Sequence, residues 1–171
     1  MKHKIFIAVD TSKIDKAKEI LKKTQSKKLH FGYKFGLEFI NSKNGRKFLA
    51  ELKKKTIFLD LKLNDIPNTC LSTIKAVKDL RPNYITVHIN SGFNALKSVK
   101  KVSGKIKIVG VTTLTSLDEK SLRELGYNIK LNSLILKQAK LASKAKLDAL
   151  VCSAREVKIL KKIFKKEIIT P

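Results

Sequence analysis

The sequence predicts an α/β fold with a parallel β-sheet, because short apolar segments alternate with segments of helical period. Most of the apolar segments are continuous, as is typical of strands buried on both faces of a sheet. Seven of them are predicted strands, at residues 5–9, 29–35, 57–61, 84–89, 106–111, 149–152 and 168–170. No linker rich in Gly, Pro or Ser interrupts the alternation, so residues 1–171 are predicted to form a single α/β-barrel domain.

Helices are predicted where apolar residues recur at intervals of three and four. Their apolar stripes lie at residues 14–21, 48–52, 71–80, 131–145 and 157–164, and the opposite faces are mostly lysine. The stripe at 131–145 is the best formed, and it includes Gln138. Close backbone approach near strand ends is predicted at Gly32, Gly36 and Gly110.

A (β/α)8 barrel accounts best for this alternation. Seven predicted strands exceed the number in a flavodoxin-like sheet, and no G-x-G-x-x-G motif follows the first strand, which argues against a dinucleotide-binding fold. Such barrels typically take ~250 residues, whereas this chain has 171 and ends at Pro171 with the seventh predicted strand. The predicted fold is therefore a TIM barrel truncated after about strand 7.

The formal net charge of +24 raises the question of nucleic-acid binding. All but four of the 38 basic residues are lysines, whereas phosphate and base recognition favour the arginine fork. The lysines are spread over every predicted helix, and the chain has no tryptophan for base stacking. We expect no specific nucleic-acid partner, and only weak adhesion to polyanions at low salt.

Membrane association is not predicted, because no apolar run approaches the ~20 residues of a membrane-spanning helix. Residues 1–9 have a basic start, but their apolar stretch is too short for a signal peptide. Cys70 and Cys152 lack the spacing of metal ligands and are predicted to be reduced and buried, so no metal site is expected. The predicted location is cytoplasmic.

One short segment, FLDLKLNDIPNT at residues 58–69, carries a concentration of charge. It begins in an apolar strand segment and includes Asp60, Lys62 and Asp65. Because side chains alternate along a strand, Asp60 and Lys62 are predicted to point to the same face and to be buried there. Burying both charges is costly, which favours a chemical role over a structural ion pair at a strand end.

Polar side chains also follow the other predicted strands, at the edge where barrel enzymes carry their active sites. They are Asp10 after strand one, Lys34 on strand two, His88, Asn90 and Ser91 after strand four, Thr112, Thr113, Thr115 and Ser116 after strand five, and Ser153 after strand six. Solvent exposure or helix capping would explain any one of them, but two acids and two lysines at successive strand ends together favour a functional site. A structural or interface role is favoured for His88 over an acid–base role.

These residues resemble those of the orotidine 5′-phosphate decarboxylase family. The D-x-K-x-x-D-I-P-N-T pattern at residues 60–69 is highly specific to that family, and further matching blocks occur in the same order: IAVD (7–10), YKFGLEF (33–39), VTTLTS (111–116), ALVCSA (149–154) and IITP (168–171). The resemblance implies a TIM barrel of the ribulose-phosphate-binding type. It also implies a carbon–carbon lyase that converts orotidine 5′-phosphate to UMP and CO2 in pyrimidine biosynthesis, with no metal or cofactor.

The resemblance implies a catalytic role for four residues in particular. Lys34, Asp60, Lys62 and Asp65 match the alternating charge network of the family, and Lys62 matches the residue that delivers a proton to C6. A fixed ammonium beside C6 would stabilise the carbanion left by CO2, which the ring cannot delocalise. Neighbouring carboxylates favour the protonated form of such a lysine.

The resemblance also implies substrate contacts and a homodimer. Asp10 and Lys34 match ribose contacts, and Thr115 matches a pyrimidine contact. Asp65 and Thr69 match residues that enter the neighbouring subunit's site.

Two alternatives to an active decarboxylase remain open. The family's phosphate-binding βα units, with a glycine-containing loop after strand seven and an arginine after strand eight, have no counterpart in this sequence. One alternative is therefore an inactive truncated remnant. Another is a Mg-dependent sugar-phosphate decarboxylase or aldolase with the same D-x-K-x-x-D motif, although the I-P-N-T extension and Lys34 argue against it.

Overall fold

The computed structural model describes residues 5–26, 29–52 and 54–171, so residues 1–4 of the basic segment considered above lie outside the described residues. All seven predicted strands are confirmed, with ends that shift by one or two residues. They are β1 (Ile5–Ala8), β2 (Phe31–Gly36), β3 (Thr56–Leu63), β4 (Tyr84–His88), β5 (Lys107–Val111), β6 (Ala149–Val151) and β7 (Glu167–Ile169). The pairs β1–β2, β2–β3, β5–β6 and β6–β7 are parallel, and the order in the sheet follows the order in the chain.

Eight α-helices lie in the described residues, and the five predicted ones are among them. They are α1 (Ile14–Lys23), α2 (Leu37–Ile40), α3 (Gly45–Glu51), α4 (Pro67–Ala76), α5 (Gly92–Val102), α6 (Glu119–Glu124), α7 (Leu131–Lys144) and α8 (Val157–Ile163). The sequence reasoning missed α2, α5 and α6. Two of these are short, and α5 buries only Ala95, Leu96 and Val99, which is a weak periodic signal.

Two compact units can be described separately. The first comprises Met1–Leu61 and Ala76–Ile85, and the second comprises Lys62–Lys75 and Thr86–Pro171. In the first unit, the rings of Phe6, Phe58 and Tyr84 pack with centroids 5.1 to 5.6 Å apart. A Cβ atom at Gly32 would lie 2.6 Å from the Phe6 ring, so this glycine allows Phe6 to cross β2.

In the second unit, α5 and α7 contribute their apolar faces to the core. Ala139 and Ala142 of α7 are fully buried, as are Leu96 and Val99 of α5. A Cβ atom at Gly110 would lie 2.9 Å from Leu147 Cδ1, which confirms the predicted close approach there. The same prediction is wrong for Gly36, because a Cβ atom at that position would meet nothing within 4 Å.

Both cysteine thiols are buried in the second unit, and we expect them to resist thiol reagents in the native protein. Burial raises the pKa of Cys152 to about 12 and also raises the pKa of Cys70, so little reactive thiolate forms at neutral pH. Labelling with a chromogenic disulfide reagent at pH 8 should be slow until denaturant is added, and should then reach two thiols. The single variants Cys70→Ser and Cys152→Ser identify the responsible thiol. Rapid labelling without denaturant would contradict the predicted burial.

Candidate active site

Three charged residues meet at the carboxyl ends of β1, β2 and β3 in the first unit. Lys34 Nζ donates a hydrogen bond to Asp60 Oδ2 at 3.3 Å and lies 3.8 Å from Asp10 Oδ1. The strands fix this arrangement, because Val9 N donates to Lys34 O and Gly36 pairs with Asp60 in the parallel register. The structure therefore brings together three of the predicted site residues in an acid–lysine–acid row.

Asp60 is the most buried member of this row. It lies on β3 between Leu59 and Leu61, which are both buried, and only 9% of its surface is exposed. A carboxylate in such surroundings is costly unless a cation compensates for it. Lys34 provides that compensation, and it can do so because its long side chain reaches from the neighbouring strand. The prediction that Asp60 is buried is confirmed, and the structure gives it a charged partner on the neighbouring strand, Lys34.

Lys62 departs from the sequence prediction in two respects. The residue is exposed, so the expectation that it is buried like Asp60 is wrong. Its backbone φ is +46°, in the left-handed region, so the regular alternation of side chains cannot be extended from Asp60 to Lys62. That conformation costs an L-residue roughly 1–2 kcal/mol. In the second unit, Lys62 N donates to Thr86 Oγ1 at 2.8 Å, and this bond to a fully buried hydroxyl helps to hold the conformation.

Asp65 and Thr69 lie on an exposed segment of the second unit. Asp65 Oδ1 accepts a hydrogen bond from Ile66 N at 2.7 Å, and α4 begins at Pro67, a residue well suited to the first helical position. Ile66, a large apolar side chain, is 66% exposed. Asp65, Ile66 and Thr69 therefore form a surface segment with both acidic and apolar character.

Thr115 lines a cavity of about 380 Å³ in the second unit, at the carboxyl ends of β5 and β6. The wall of this cavity also includes Thr113, Asn132, Ser153 and Arg155. A neighbouring cavity of about 180 Å³ is lined by polar residues, which include His88, Asn90 and Thr113, and by several leucines. The placement of Thr115 is consistent with the predicted contact to a ligand's ring.

The polar groups next to these cavities are held by specific hydrogen bonds. Ser153 N donates to Glu156 Oε2 at 3.1 Å, and burial raises the pKa of Glu156 above its usual value. On the other side, Asp118 Oδ1 accepts from Ser121 N at 2.8 Å and so caps α6, which lowers the pKa of Asp118. These bonds fix the segments that follow β5 and β6.

Two functional candidates escaped the sequence reasoning. Thr86 was counted only as part of an apolar strand, although its hydroxyl holds the Lys62 backbone. Gln138 was counted as part of a helical stripe, although its amide bonds both Thr113 and Asn90. The sequence could have indicated a role for Gln138, because an amide there interrupts the apolar stripe of a helix. Nothing in the sequence singles out Thr86.

Membrane and metal features were searched for over the described ranges. Across residues 5–26, 29–52 and 54–171, no helix combines the length and apolarity needed to cross a bilayer. Over the same part of the chain, no group of three or more His, Cys, Asp or Glu side chains is arranged to hold a metal ion.

Parallel strands that alternate with helices and end in charged side chains define an α/β-barrel enzyme. The chain belongs to the orotidine 5′-phosphate decarboxylase / HUMPS family, whose model matches residues 3–171. It is 40% identical over 164 residues to orotidine 5′-phosphate decarboxylase from Sphingopyxis alaskensis, covering 94% of this chain and 71% of the relative. The enzyme of that name from Carboxydothermus hydrogenoformans is 36% identical over 180 residues, covering 99% of this chain and 74% of the relative.

Solved structures give the same result for the fold. Orotidine 5′-phosphate decarboxylase from Lactobacillus acidophilus superposes with a TM-score of 0.87 at 30% identity, covering 97% of this chain and 78% of that one. Orotidine 5′-monophosphate decarboxylase from Methanocaldococcus jannaschii, complexed with inhibitor BMP, gives a TM-score of 0.83 at 26% identity, covering 100% of this chain and 78% of that one. The predicted fold class, a TIM barrel of which this chain contains seven strands, and the predicted family are therefore confirmed.

Proposed function

We propose that this chain carries the site for decarboxylation of orotidine 5′-phosphate to UMP and CO2. The observation that carries the proposal is the row formed by Asp10, Lys34 and Asp60, which is followed on β3 by Lys62. Asp60 and Lys62 belong to the D-x-K-x-x-D pattern at residues 60–65. The relatives from Sphingopyxis alaskensis and Erythrobacter litoralis are both named orotidine 5′-phosphate decarboxylase. The reaction consumes one proton and is a step of pyrimidine biosynthesis.

Lys62 is the proposed catalytic residue. When the bond between C6 and the carboxylate breaks, its electron pair stays on C6 in the plane of the ring, where π-delocalisation is not available. An ammonium at C6 stabilises that charge as it develops and then donates a proton to form the C6–H bond of UMP. The exposure of Lys62 leaves its side chain accessible to a substrate.

Asp60 and Lys34 are proposed to set the charge around the reacting carbon. Asp60 and Lys62 are two residues apart on β3, so their Cα atoms are within about 7 Å of each other. A fixed carboxylate near C6 disfavours the negatively charged carboxylate of the substrate relative to neutral CO2. Lys34 contacts Asp60 directly and so balances the negative charge of this buried carboxylate.

Substrate binding is proposed to use groups away from the reacting carbon. Asp10 and Lys34 are the proposed ribose contacts, because the carboxylate and ammonium can accept and donate hydrogen bonds to hydroxyl groups. Thr115 is the proposed pyrimidine contact, which its position in the larger cavity supports. Binding energy from the ribose and base can then be used to hold C6 against Lys62. The proposed location is the cytoplasm, where the two free thiols would remain reduced.

The reaction is proposed to need no metal or cofactor, which separates it from the Mg-dependent alternative. Lys62 can supply both the stabilising charge and the proton, so neither role is left for a divalent ion. The test is UMP formation from orotidine 5′-phosphate by the purified chain, measured with excess EDTA and again with added Mg2+. We expect equal rates. A strict requirement for Mg2+ would favour the sugar-phosphate alternative, for which a ribulose-derived substrate should be turned over instead.

A homodimer is proposed, with Asp65 and Thr69 of each subunit contributing to the partner's site. The exposed Ile66 between them supports this proposal, because burying its apolar surface against a second copy would be favourable.

Substitution of Ile66 should therefore disrupt the dimer. Ile66→Lys places a charge where apolar contact is proposed, so we expect sedimentation velocity to show a shift from dimer to monomer. Leu125→Lys is the matched control, since Leu125 is similarly exposed at 62%. A wild-type chain that sediments as a monomer throughout the micromolar range, or an Ile66→Lys variant that remains dimeric, would contradict the proposed interface.

A further inference from the structure

Gln138 is an unusual residue type for its position on the buried face of α7. The side chain is only 5% exposed and lies on the apolar face of the helix, with Ile135, Ala139 and Ala142 also buried on α7. A leucine or methionine would fill such a position without the cost of desolvating an amide. An amide is tolerated there only if its donors and acceptor find partners.

All of the hydrogen bonds recorded for the Gln138 side chain go to segments that follow strands. Gln138 Oε1 accepts from Thr113 N at 2.9 Å and from Thr113 Oγ1 at 3.2 Å. Gln138 Nε2 donates to Asn90 Oδ1 at 2.9 Å. A backbone N–H can only donate, so Thr113 N fixes Oε1 as the acceptor and orients the amide group. The bonds therefore join the end of β5 to the turn after β4.

The residues that Gln138 bonds line the cavities of the second unit. Thr113 lines both cavities, and Asn90 lines the smaller one. Thr112 is held from the other side, because Thr112 N and Thr112 Oγ1 both donate to Val151 O. With Thr112 and Thr113 fixed in this way, the position of Thr115 two residues later is constrained as well.

We propose that Gln138 is a positioning residue for the nucleotide, acting through the segment 112–115. It does not touch the substrate itself. Its amide sets the direction in which the chain leaves β5, and so places the Thr115 hydroxyl where the pyrimidine ring is to be bound. This inference rests on the proposed function, because the pyrimidine contact of Thr115 is part of that proposal.

The test compares nucleotide affinity with stability in matched variants of the 171-residue chain. Gln138→Met keeps the length of the side chain but removes the hydrogen bonds, and we expect UMP affinity measured by titration calorimetry to fall by roughly tenfold or more. Gln138→Glu keeps the acceptor for Thr113 but replaces the donor to Asn90 Oδ1 by a second acceptor, so only part of the affinity should return. Ile135→Ala is the stability control: it removes a fully buried side chain from the same helix and should lower the melting temperature without changing UMP affinity.

The outcomes separate this inference from the proposed function. If wild type binds UMP and Gln138→Met binds it equally well, the positioning role is wrong while the proposed function stands. The role is also wrong if Ile135→Ala loses as much affinity as Gln138→Met, since a general loss of stability would then explain both. If wild type binds no UMP, the proposed function fails and the inference fails with it. Should Gln138→Met not fold, Gln138→Asn makes the same test, because its amide is one methylene too short to reach Thr113.

Discussion

Replacement of Lys62 by alanine should lower the rate of orotidine 5′-phosphate decarboxylation by roughly 10⁴-fold or more, because one side chain is proposed to supply both the charge at C6 and the proton. The fold should survive the change, since Lys62 is exposed and surface substitutions usually alter stability by less than about 0.5 kcal/mol. The measurement is single-turnover formation of UMP at saturating substrate, together with the melting temperature. A large loss of rate with an unchanged melting temperature is the expected result.

Two control variants separate charge from proton transfer. Lys62→Arg keeps a positive charge, but a guanidinium does not release its proton at accessible pH, so only part of the rate should return. Lys75→Ala removes another exposed lysine, on α4, and should leave the rate unchanged. Comparable rates for Lys62→Ala and Lys75→Ala would show that Lys62 is not the catalytic residue.

Replacement of Lys34 by methionine should have the largest effect on stability, and it should also abolish activity. The side chains of Lys34 and Asp60 are 28% and 12% exposed, so loss of the ammonium leaves a largely buried carboxylate without this partner. We expect a loss of about 3 kcal/mol in the free energy of unfolding, at the low end of the range for broken buried pairs because Lys34 is partly exposed. Urea denaturation at pH 7 measures the change.

A double-mutant cycle with Asp60→Asn separates the structural part of this effect from the catalytic part. Adding Asp60→Asn to Lys34→Met removes the buried negative charge, so stability should largely return while activity stays lost. Additive losses of stability in the double variant would mean that the two side chains do not interact, contrary to their 3.3 Å contact.

The strands and the charged row could be predicted because local rules determine them. Continuous apolar runs identified the seven strands, and the rule that barrel chemistry follows the strands pointed to Asp10, Lys34 and Asp60. The prediction that Lys62 is buried on the same face as Asp60 was wrong. Side-chain alternation assumes an extended backbone, whereas the φ of Lys62 is +46°. A hydrogen bond from Lys62 N to Thr86, on another strand, accompanies that conformation, and no local pattern reveals such a partner.

Gln138 shows a second limit of the same kind. Helical periodicity correctly placed it on the buried face of α7, but periodicity gives only the face and not the partners. Its bonds to Thr113 and Asn90 join residues 25 and 48 positions away in the chain. Helix α5 was missed for a simpler reason, since only three of its residues are buried and its apolar stripe is correspondingly short.

The most direct test of the proposed chemistry is to incubate the chain with orotidine 5′-phosphate in D2O and to analyse the product by NMR and mass spectrometry. The account predicts UMP with one deuterium at C6, formed by wild type and not by Lys62→Ala, because the ammonium of Lys62 exchanges with solvent before it delivers its proton. The account would be contradicted if wild type formed no UMP above the uncatalysed rate, or if Lys62→Ala formed the deuterated product as fast as wild type.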